Sequence, residues 1–404
     1  MSDAHGARRL GFAEAQKVIL DTVRRLDGEM VQLLETAGRV LDQDVIAPWN
    51  LPRFSNSAMD GYAVRYEDCK SGEKLRITGF LPAGAQATTA VEAGTAIRIM
   101  TGAPIPQGCD CVVPFEDAEE ADGEVRATGA VKAGKHIRSA GEDVREGEAV
   151  LTAGRMLRPA EISLMASCGC TQVRVVRKPR VAIVSTGDEL VPLDETPGVA
   201  QIVNSNAYSL AAAVQAAGAE AVMLGIARDT KESHLEKLVA ALKYDVVITS
   251  AGISVGDRDM VKSTLQELGV RLAFERVRVK PGKVMAFGSA GEKLVFGLPG
   301  NPVSSMLTFE EFVAPALRKM MGREEPVDRL FTAELAQEVI KTRDVTLLLR
   351  VKLERVDGRW IARSAGVQET GLVRTLAEAN GVALLPEGFA TVATGTPVQV
   401  HWLR

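Results

Sequence analysis

The chain has 404 residues, of which 46% are apolar and 25% charged, with a formal net charge of −4. That composition belongs to a globular protein with enough apolar side chains for about two to four domains. It argues against nucleic-acid binding, because basic residues are dispersed, and against a membrane span, because no apolar run approaches the roughly 18–20 residues required. The first thirty residues are charged and helix-like and carry no secretory signal, so a cytoplasmic protein is expected. Five cysteines, an odd number, fit a reducing compartment. Cys109/Cys111 and Cys168/Cys170 are spaced C-x-C rather than C-x-x-C and lack further Cys or His partners, so buried small hydrophobes are expected rather than zinc ligands. The four histidines (His5, His136, His234, His401) sit in no local partner motif, which gives little support to His-based metal ligation or a Ser-His-Asp triad.

In chain order, FAEAQKVILDTVRRL has apolar positions at helical spacing, and a second helix is expected through ETAGRVLDQDV. From Pro48 to about residue 147 the texture changes to short β-type runs (AIRIM, CVVPF, EVRAT) punctuated by Gly and Pro. A helix (PAEISLMASCG) and a strand (QVRVV) then follow. The expected organisation is a discontinuous helical or mixed linker domain (10–46 plus 148–178) interrupted by a β domain (47–147). From Arg180 strands and helices alternate: VAIVSTGDEL, NSNAYSLAAAVQAAG with Asn204 or Ser205 as N-cap, AVMLGIARDT, KESHLEKLVAALK. A final helix is expected from Asn301-Pro302 to Gly322, closing an α/β domain over 179–322. Beyond Arg323, VTLLLRVKLERVDGRWIARS reads as a hairpin about Asp357-Gly358, and GVALLPEG and TPVQVHWL as strands of a C-terminal β domain (323–404).

The chemistry concentrates in residues 244–304. There YDVVITSAGISVGDRDMV, KPGKVMAFG and VFGLPGNPVSS each join an apolar run to a small-residue loop, and strand–loop–helix units are expected. Ligands of parallel α/β sheets bind beyond the carboxyl ends of the strands. The glycines around Ser254 permit a backbone anion nest, and Asp257 or Asp259 is suited to Mg²⁺ beside phosphate oxygens. Lys280 and Lys283 flank a tight turn and are suited to an oxyanion, although a solvated turn has the same composition. The loops Ser185-Thr-Gly-Asp-Glu189 and Ala227-Arg-Asp229-Thr230 end two further strands; either serves equally as a turn or helix cap. Three acids arriving from successive parallel strands repel one another unless a cation joins them.

In this order, STGDEL, SAGISVGDRD, KPGK and GLPGNPVSS resemble the MoeA family of molybdenum-insertion enzymes, which includes the gephyrin E-domain. Upstream, FSNSAMDGYAV around Asp60, IRIMTGAPIPQG around Thr101 and the Gly141-Glu-Asp143 loop match the same family, so the resemblance runs from about residue 10 to the C-terminus. It implies a multidomain α/β plus β fold: a central three-layer, mostly parallel, molybdopterin-binding-like α/β domain, the inserted small β domain, the linker domain and a C-terminal β-barrel-like domain. It implies a homodimer whose cleft is shared between subunits. The implied reaction is Mg²⁺-dependent insertion of molybdate into adenylylated molybdopterin, with release of AMP.

Carried over by motif, the resemblance assigns Asp60, Glu189, Asp229 and Asp259 as catalytic, with Asp229 and Asp259 the metal carboxylates. It assigns Thr101, Asp143, Ser254, Lys280, Lys283, Pro299, Pro302, Arg350 and Thr370 to substrate. The soft dithiolene that molybdenum needs comes from the pterin, so no protein Cys or His ligand is required. Implied partners are the adenylyltransferase that supplies the substrate and molybdoenzyme-maturation proteins, with neither nucleic acid nor membrane. The chain departs from the family pattern at Ala251, Met260, Val284 and the VQETGLV loop. Two other readings are a non-catalytic scaffold, which predicts loss of the acids, and pterin adenylylation, which predicts a lone α/β domain.

Overall fold

The computed structural model of the chain describes residues 9–70, 72–251 and 260–403. Contacts divide it into two units: Met30–Ala37 with Gln43–Val173, and Met1–Glu29 with Gly38–Asp42 and Arg174–Arg404. Among the described residues no helix is long and apolar enough to cross a membrane.

Helix α1 (Phe12–Thr22) forms where the apolar spacing predicts it and buries Ala15 and Ile19. The second expected helix does not form. A single 3₁₀ turn, Leu33–Thr36, is followed by Gly38 at φ 73°. Val40 and Leu41 then run extended, with Leu41 bridging Val175 and Asp42 N–H donating to Arg174 O. A glycine in the middle of the segment and a waiting strand edge outweigh its helical spacing.

The first unit is built on strands β1 (Gly61–Val64), β2 (Leu75–Leu81), β3 (Thr95–Ile99), β4 (Cys111–Pro114), β5 (Ala118–Ala121) and β6 (Glu124–Ala127). They form one sheet in the order β4-β1-β3-β2-β6-β5. Period-2 alternation sends Tyr62, Val64 and Val113 to one core and Ala63, Val112, Ile97 and Ile99 to the other, so both faces are buried. Helix α2 (Pro159–Ser167) starts with Pro at its first turn. The five cysteines are free; of the four expected to be buried, Cys111 and Cys168 are, whereas Cys109 and Cys170 are half-buried.

The second unit continues with β7 (Arg180–Thr186), α3 (Ser205–Ala216), β8 (Glu220–Ala227), α4 (Lys231–Ala241), β9 (Val246–Ser250), α5 (Met260–Glu267), β10 (Arg271–Phe274), β11 (Val279–Lys280), β12 (Ala286–Ala290) and β13 (Lys293–Leu298). Helix α6 (Pro302–Thr308) passes through a π turn (Phe309–Val313) into α7 (Ala314–Met320). The sheet order is β8-β7-β9-β13-β12-β10, parallel from β8 to β13 and antiparallel from there to β10. Alternate strand residues bury against two helical layers. Val181, Ile183, Val246 and Phe296 meet α1, α3, α6 and α7, whereas Ala182, Val184, Val247 and Val295 meet α4 and α5. KPGKVMAFG departs from the expected strand–loop–helix pattern: its strand β12 turns back antiparallel to β13.

The last strands, β14 (Phe331–Leu335), β15 (Thr346–Val356), β16 (Arg359–Ser364), β17 (Gly381–Leu385) and β18 (Pro397–Trp402), form a ring, β15-β16-β14-β18-β17, closed by β17–β15. This is the expected barrel, and its hairpin turns at Asp357 and Gly358, both at positive φ. Strand β11 joins it in parallel, Lys280 opposite Leu347, which ties the KPGK segment to the barrel.

Candidate active site

Strand order places the C-terminal ends of β8, β7, β9 and β13 side by side along one sheet edge. The chain leaves β7 in one direction to reach β8 and returns past it to β9, which makes this edge a topological switch point, where ligands of such sheets bind. The loop after β7 is fixed from below: Ser185 Oγ donates to Asn204 Oδ1 at 2.9 Å, and Asn204 caps α3. Arg228 holds it from the side, its guanidinium donating to the carbonyls of Gly187, Asp188 and Leu190 at 3.4, 3.3 and 2.9 Å. Asp229 N–H donates to Asp188 Oδ1 at 3.1 Å, while Thr230 caps α4. Asp188, Glu189 and Asp229 are thus exposed together, and no Lys or Arg pairs with them among the described residues. All three offer oxygen, the donor set of a hard cation.

Arg228 and His234 escaped the sequence reading. Arg228 acts through backbone carbonyls, for which no sequence pattern exists. His234 is 2% exposed, and neither ring nitrogen has a hydrogen-bond partner. Burial lowers its pKa, against the opposing charges of Asp229 and Asp188.

The other end of the edge is cationic. Gly282, at φ 105°, lets the KPGK turn pack on α6: a Cβ there would lie 2.3 Å from Thr308 Cγ2. Lys280 and Lys283 stay exposed. Pro299 and Pro302 flank Asn301, which occupies the N-cap position of α6 without a side-chain cap bond. The loop bearing Thr370 docks on this helix start, Thr370 O accepting from Val303 N–H at 3.3 Å. Arg350, on β15, is 0% exposed and spends Nη2 on the carbonyls of Val367 and Glu369 at 3.0 and 3.2 Å. Its Nε and Nη1 have no hydrogen-bond partner among the described residues, and desolvation holds its pKa below the usual guanidinium value.

Between the two ends, Asn206 of α3 donates to Ser250 Oγ at 3.0 Å and Gly300 O at 2.8 Å. Its Oδ1 is buried without a partner. Ala251 adopts φ 71°, which explains why glycine would be favoured there. From the loop after β8 to that after β13 is three strand spacings, roughly 14 Å. Ser254 and Asp259, with Asp257, lie outside the described residues.

Asp60, Thr101 and Asp143 belong to the other unit. Asp60 Oδ1 accepts from Thr101 N–H at 2.7 Å and Thr101 Oγ1 at 2.8 Å. The backbone bond first and the hydroxyl second lower its pKa, keeping it ionised. The segment carrying Asp60 threads between two loops: Ser57 N–H donates to Ala103 O, and Ala140 N–H donates to Ser55 Oγ. Asp143 stands exposed in the second loop, its N–H on Leu51 O at 3.1 Å.

An α/β domain with an acidic and a cationic end on one sheet edge, joined to a closed barrel, defines a class of multidomain α/β plus β proteins. Three family models match in order: the MoeA N-terminal region (domains I and II) over residues 10–169, a probable molybdopterin binding domain over 182–319, and the MoeA C-terminal region (domain IV) over 332–403. Similar curated proteins include the molybdopterin molybdenumtransferase of Nostoc sp., 36% identical over 96% of this chain and 92% of that one, and molybdopterin molybdenumtransferase 2 of Mycobacterium tuberculosis, 36% identical over 96% and 98%. A crystal structure of the molybdopterin biosynthesis MoeA protein from Pyrococcus horikoshii superposes with a TM-score of 0.83 at 29% identity, covering 98% of this chain and 100% of that one. The chain belongs to the MoeA family of molybdopterin molybdenumtransferases.

Proposed function

We propose that this protein inserts molybdate into adenylylated molybdopterin, releasing AMP and the finished cofactor, in the cytoplasm and as a homodimer. The observation that carries the reading is Arg350, a buried guanidinium held by the loop that docks on the α6 start, with two nitrogens unpaired and no carboxylate facing it among the described residues. A buried cation without a counter-charge calls for an anionic ligand. Lys280, Lys283 and the Thr370 hydroxyl add donors that neutralise and orient molybdate there. The acidic end suits a magnesium pyrophosphate. Asp229, with Asp259 from the loop after β9, would hold Mg²⁺, and Glu189 would orient substrate or water. When bound, Mg²⁺ supplies charge neutralisation on the phosphates.

The roughly 14 Å between the ends matches an extended ligand rather than a single small anion. Asp60, Thr101 and Asp143 are assigned to the cleft of a second copy, where the ionised Asp60 contributes a carboxylate. A scaffold that had lost catalysis is not favoured, because Asp60, Glu189 and Asp229 are all retained.

The test is AMP release from adenylylated molybdopterin, followed with and without molybdate and Mg²⁺. Release requires both, and Asp229→Asn slows it by roughly 100-fold or more. AMP release indifferent to molybdate would overturn the reading, and full activity in Asp259→Ala would remove that residue from the metal site.

A further inference from the structure

A buried contact that the proposed reaction does not use joins the barrel to the helices that follow β13. His401 of β18 is 2% exposed, and its ring lies between two oxygen atoms. Nε2 is 2.7 Å from Glu311 Oε1, and Nδ1 is 3.0 Å from the carbonyl oxygen of Trp402. Glu311, 6% exposed, belongs to the π turn between α6 and α7. Gln16 of α1 donates to the Glu311 carbonyl at 2.8 Å, which holds that turn from a third element. Beside the pair, a cavity of about 40 Å³ is lined by Phe12, Gln16, Pro315 and Leu384, which do not titrate, and by Glu310 and Asp328. Those two acids each bring an oxygen within 4.8 Å of a His401 ring nitrogen. Arg318 of α7 donates to Asp328 at 2.8 Å and stands 3.8 Å from Glu310. Among the described residues, the charged groups around the ring are therefore Glu311 in contact, Glu310 and Asp328 behind it, and Arg318 beyond them.

Neither a carbonyl nor a carboxylate has a proton to give, so a ring with such an oxygen on each side needs N–H on both nitrogens. A neutral imidazole would instead turn a lone pair on one of them and leave a buried acceptor unsatisfied. We propose that His401 is held as an imidazolium between Glu311 and the Trp402 carbonyl. There it is a positioning residue, a latch that, alongside the β11–β15 pairing, seats the barrel with Arg350 and the Thr370 loop against the α6 start. On the barrel side the latch reaches Arg350 through one ladder, β18 pairing with β17 and β17 with β15. On the other side it acts along the helix, Glu311 lying roughly 14 Å beyond Pro302 at the start of α6. Only the link to molybdate rests on the function proposed above.

Burial opposes the charge, but the hydrogen bond and charge of Glu311, the Trp402 carbonyl and Glu310 together raise the His401 pKa to about 9. That lies above the roughly 6.5 of an unfolded histidine. The stabilisation is therefore fully present below about pH 6.5 and is lost as pH rises through about 9.

NMR of the full-length protein with ¹⁵N-labelled histidine tests the protonation. At pH 7.5 the His401 ring, assigned by its loss in His401→Gln, should carry a proton on both nitrogens. In Glu311→Gln, which keeps the side chain's shape, burial is unopposed and the ring should titrate below about 6.5. Hydrogen exchange at Val303, whose N–H donates to Thr370 O, reads the seating without substrate. Its protection, corrected for intrinsic exchange, should fall on the order of 10-fold from pH 7.5 to 9.5 in wild type. In His401→Gln/Glu311→Gln, whose two amides can pair without charge, it should stay level. If molybdate binds at that seat, its KM should rise over the same interval in wild type but not in the double variant, with kcat changed less. An unprotonated nitrogen on His401 at pH 7.5 would overturn the imidazolium. Val303 protection that stays level in wild type, or falls equally in the double variant, would overturn the positioning role. A level KM with falling protection would uphold the latch and strike the molybdate site instead.

Discussion

Arg350 and Glu161 are both held in place by charge-assisted hydrogen bonds, yet their partners give them opposite meanings. Arg350 meets only carbonyls and leaves two nitrogens unpaired. Lysine at this position would keep the charge but lose the planar fork, so Arg350→Lys should raise the KM for molybdate by about 10-fold or more, with a smaller change in kcat. Molybdate at 100 times its Kd should stabilise the wild-type fold by about 2.7 kcal/mol, and the variant by much less, in thermal unfolding.

Glu161 is instead fully answered, by Arg158 at 2.7 Å and Arg155 at 3.0 Å. The Arg158 side chain above all holds the Glu161 carboxyl well below the usual carboxylate range. The folded pKa is therefore depressed below an unfolded value of about 4.3. The stabilisation is fully present above that value and is lost as pH falls through the folded pKa. Urea unfolding of Glu161→Gln against wild type should show a deficit at pH 7 that shrinks below pH ~4. Only the Arg350 pattern points to function. Glu161 finds its two arginines three and six positions away, whereas the carbonyls that hold Arg350 come from a loop 17 and 19 positions on.

Among the elements, the β7–β9 strands and helices α3 to α7 form where alternation and helical spacing place them. Their apolar faces meet a core whichever neighbours provide it. Two expectations fail for the opposite reason. Residues 35–45 carry a helical spacing that long-range pairing with residues 174–176 overrides, and KPGKVMAFG, expected to lead from strand and loop into a helix, instead turns on a glycine packed on α6 into a strand antiparallel to β13. Gly282→Ala needs positive φ and a Cβ 2.3 Å from Thr308 Cγ2, so it should cost about 1–3 kcal/mol in urea unfolding. Because Lys280 and Lys283 flank the turn, molybdate binding should weaken with it.

For the whole molecule, Asp60, Thr101 and Asp143 belong to one unit and Glu189, Asp229 and Lys280 to the other. If a complete cleft takes one set from each of two copies, Asp60→Asn and Asp229→Asn chains should each be inactive alone. Mixing them with exchange should restore about a quarter of wild-type activity, because half the molecules are mixed dimers with one intact cleft of two. Activity that stays at zero after verified exchange would place both sets in one chain's cleft. By itself the sequence determined most of the elements and the family, because each is written in local spacing or in a contiguous motif; the barrel and the candidate site residues came only as what the resemblance implies. The tertiary structure alone decided that Arg228 fastens the acidic loop, that His234 is buried, that Arg350 meets no carboxylate among the described residues, and that Glu310, Asp328 and His401 converge. Such contacts join residues tens to hundreds of positions apart, and their energies depend on burial and partnership, which exist only once the chain has folded.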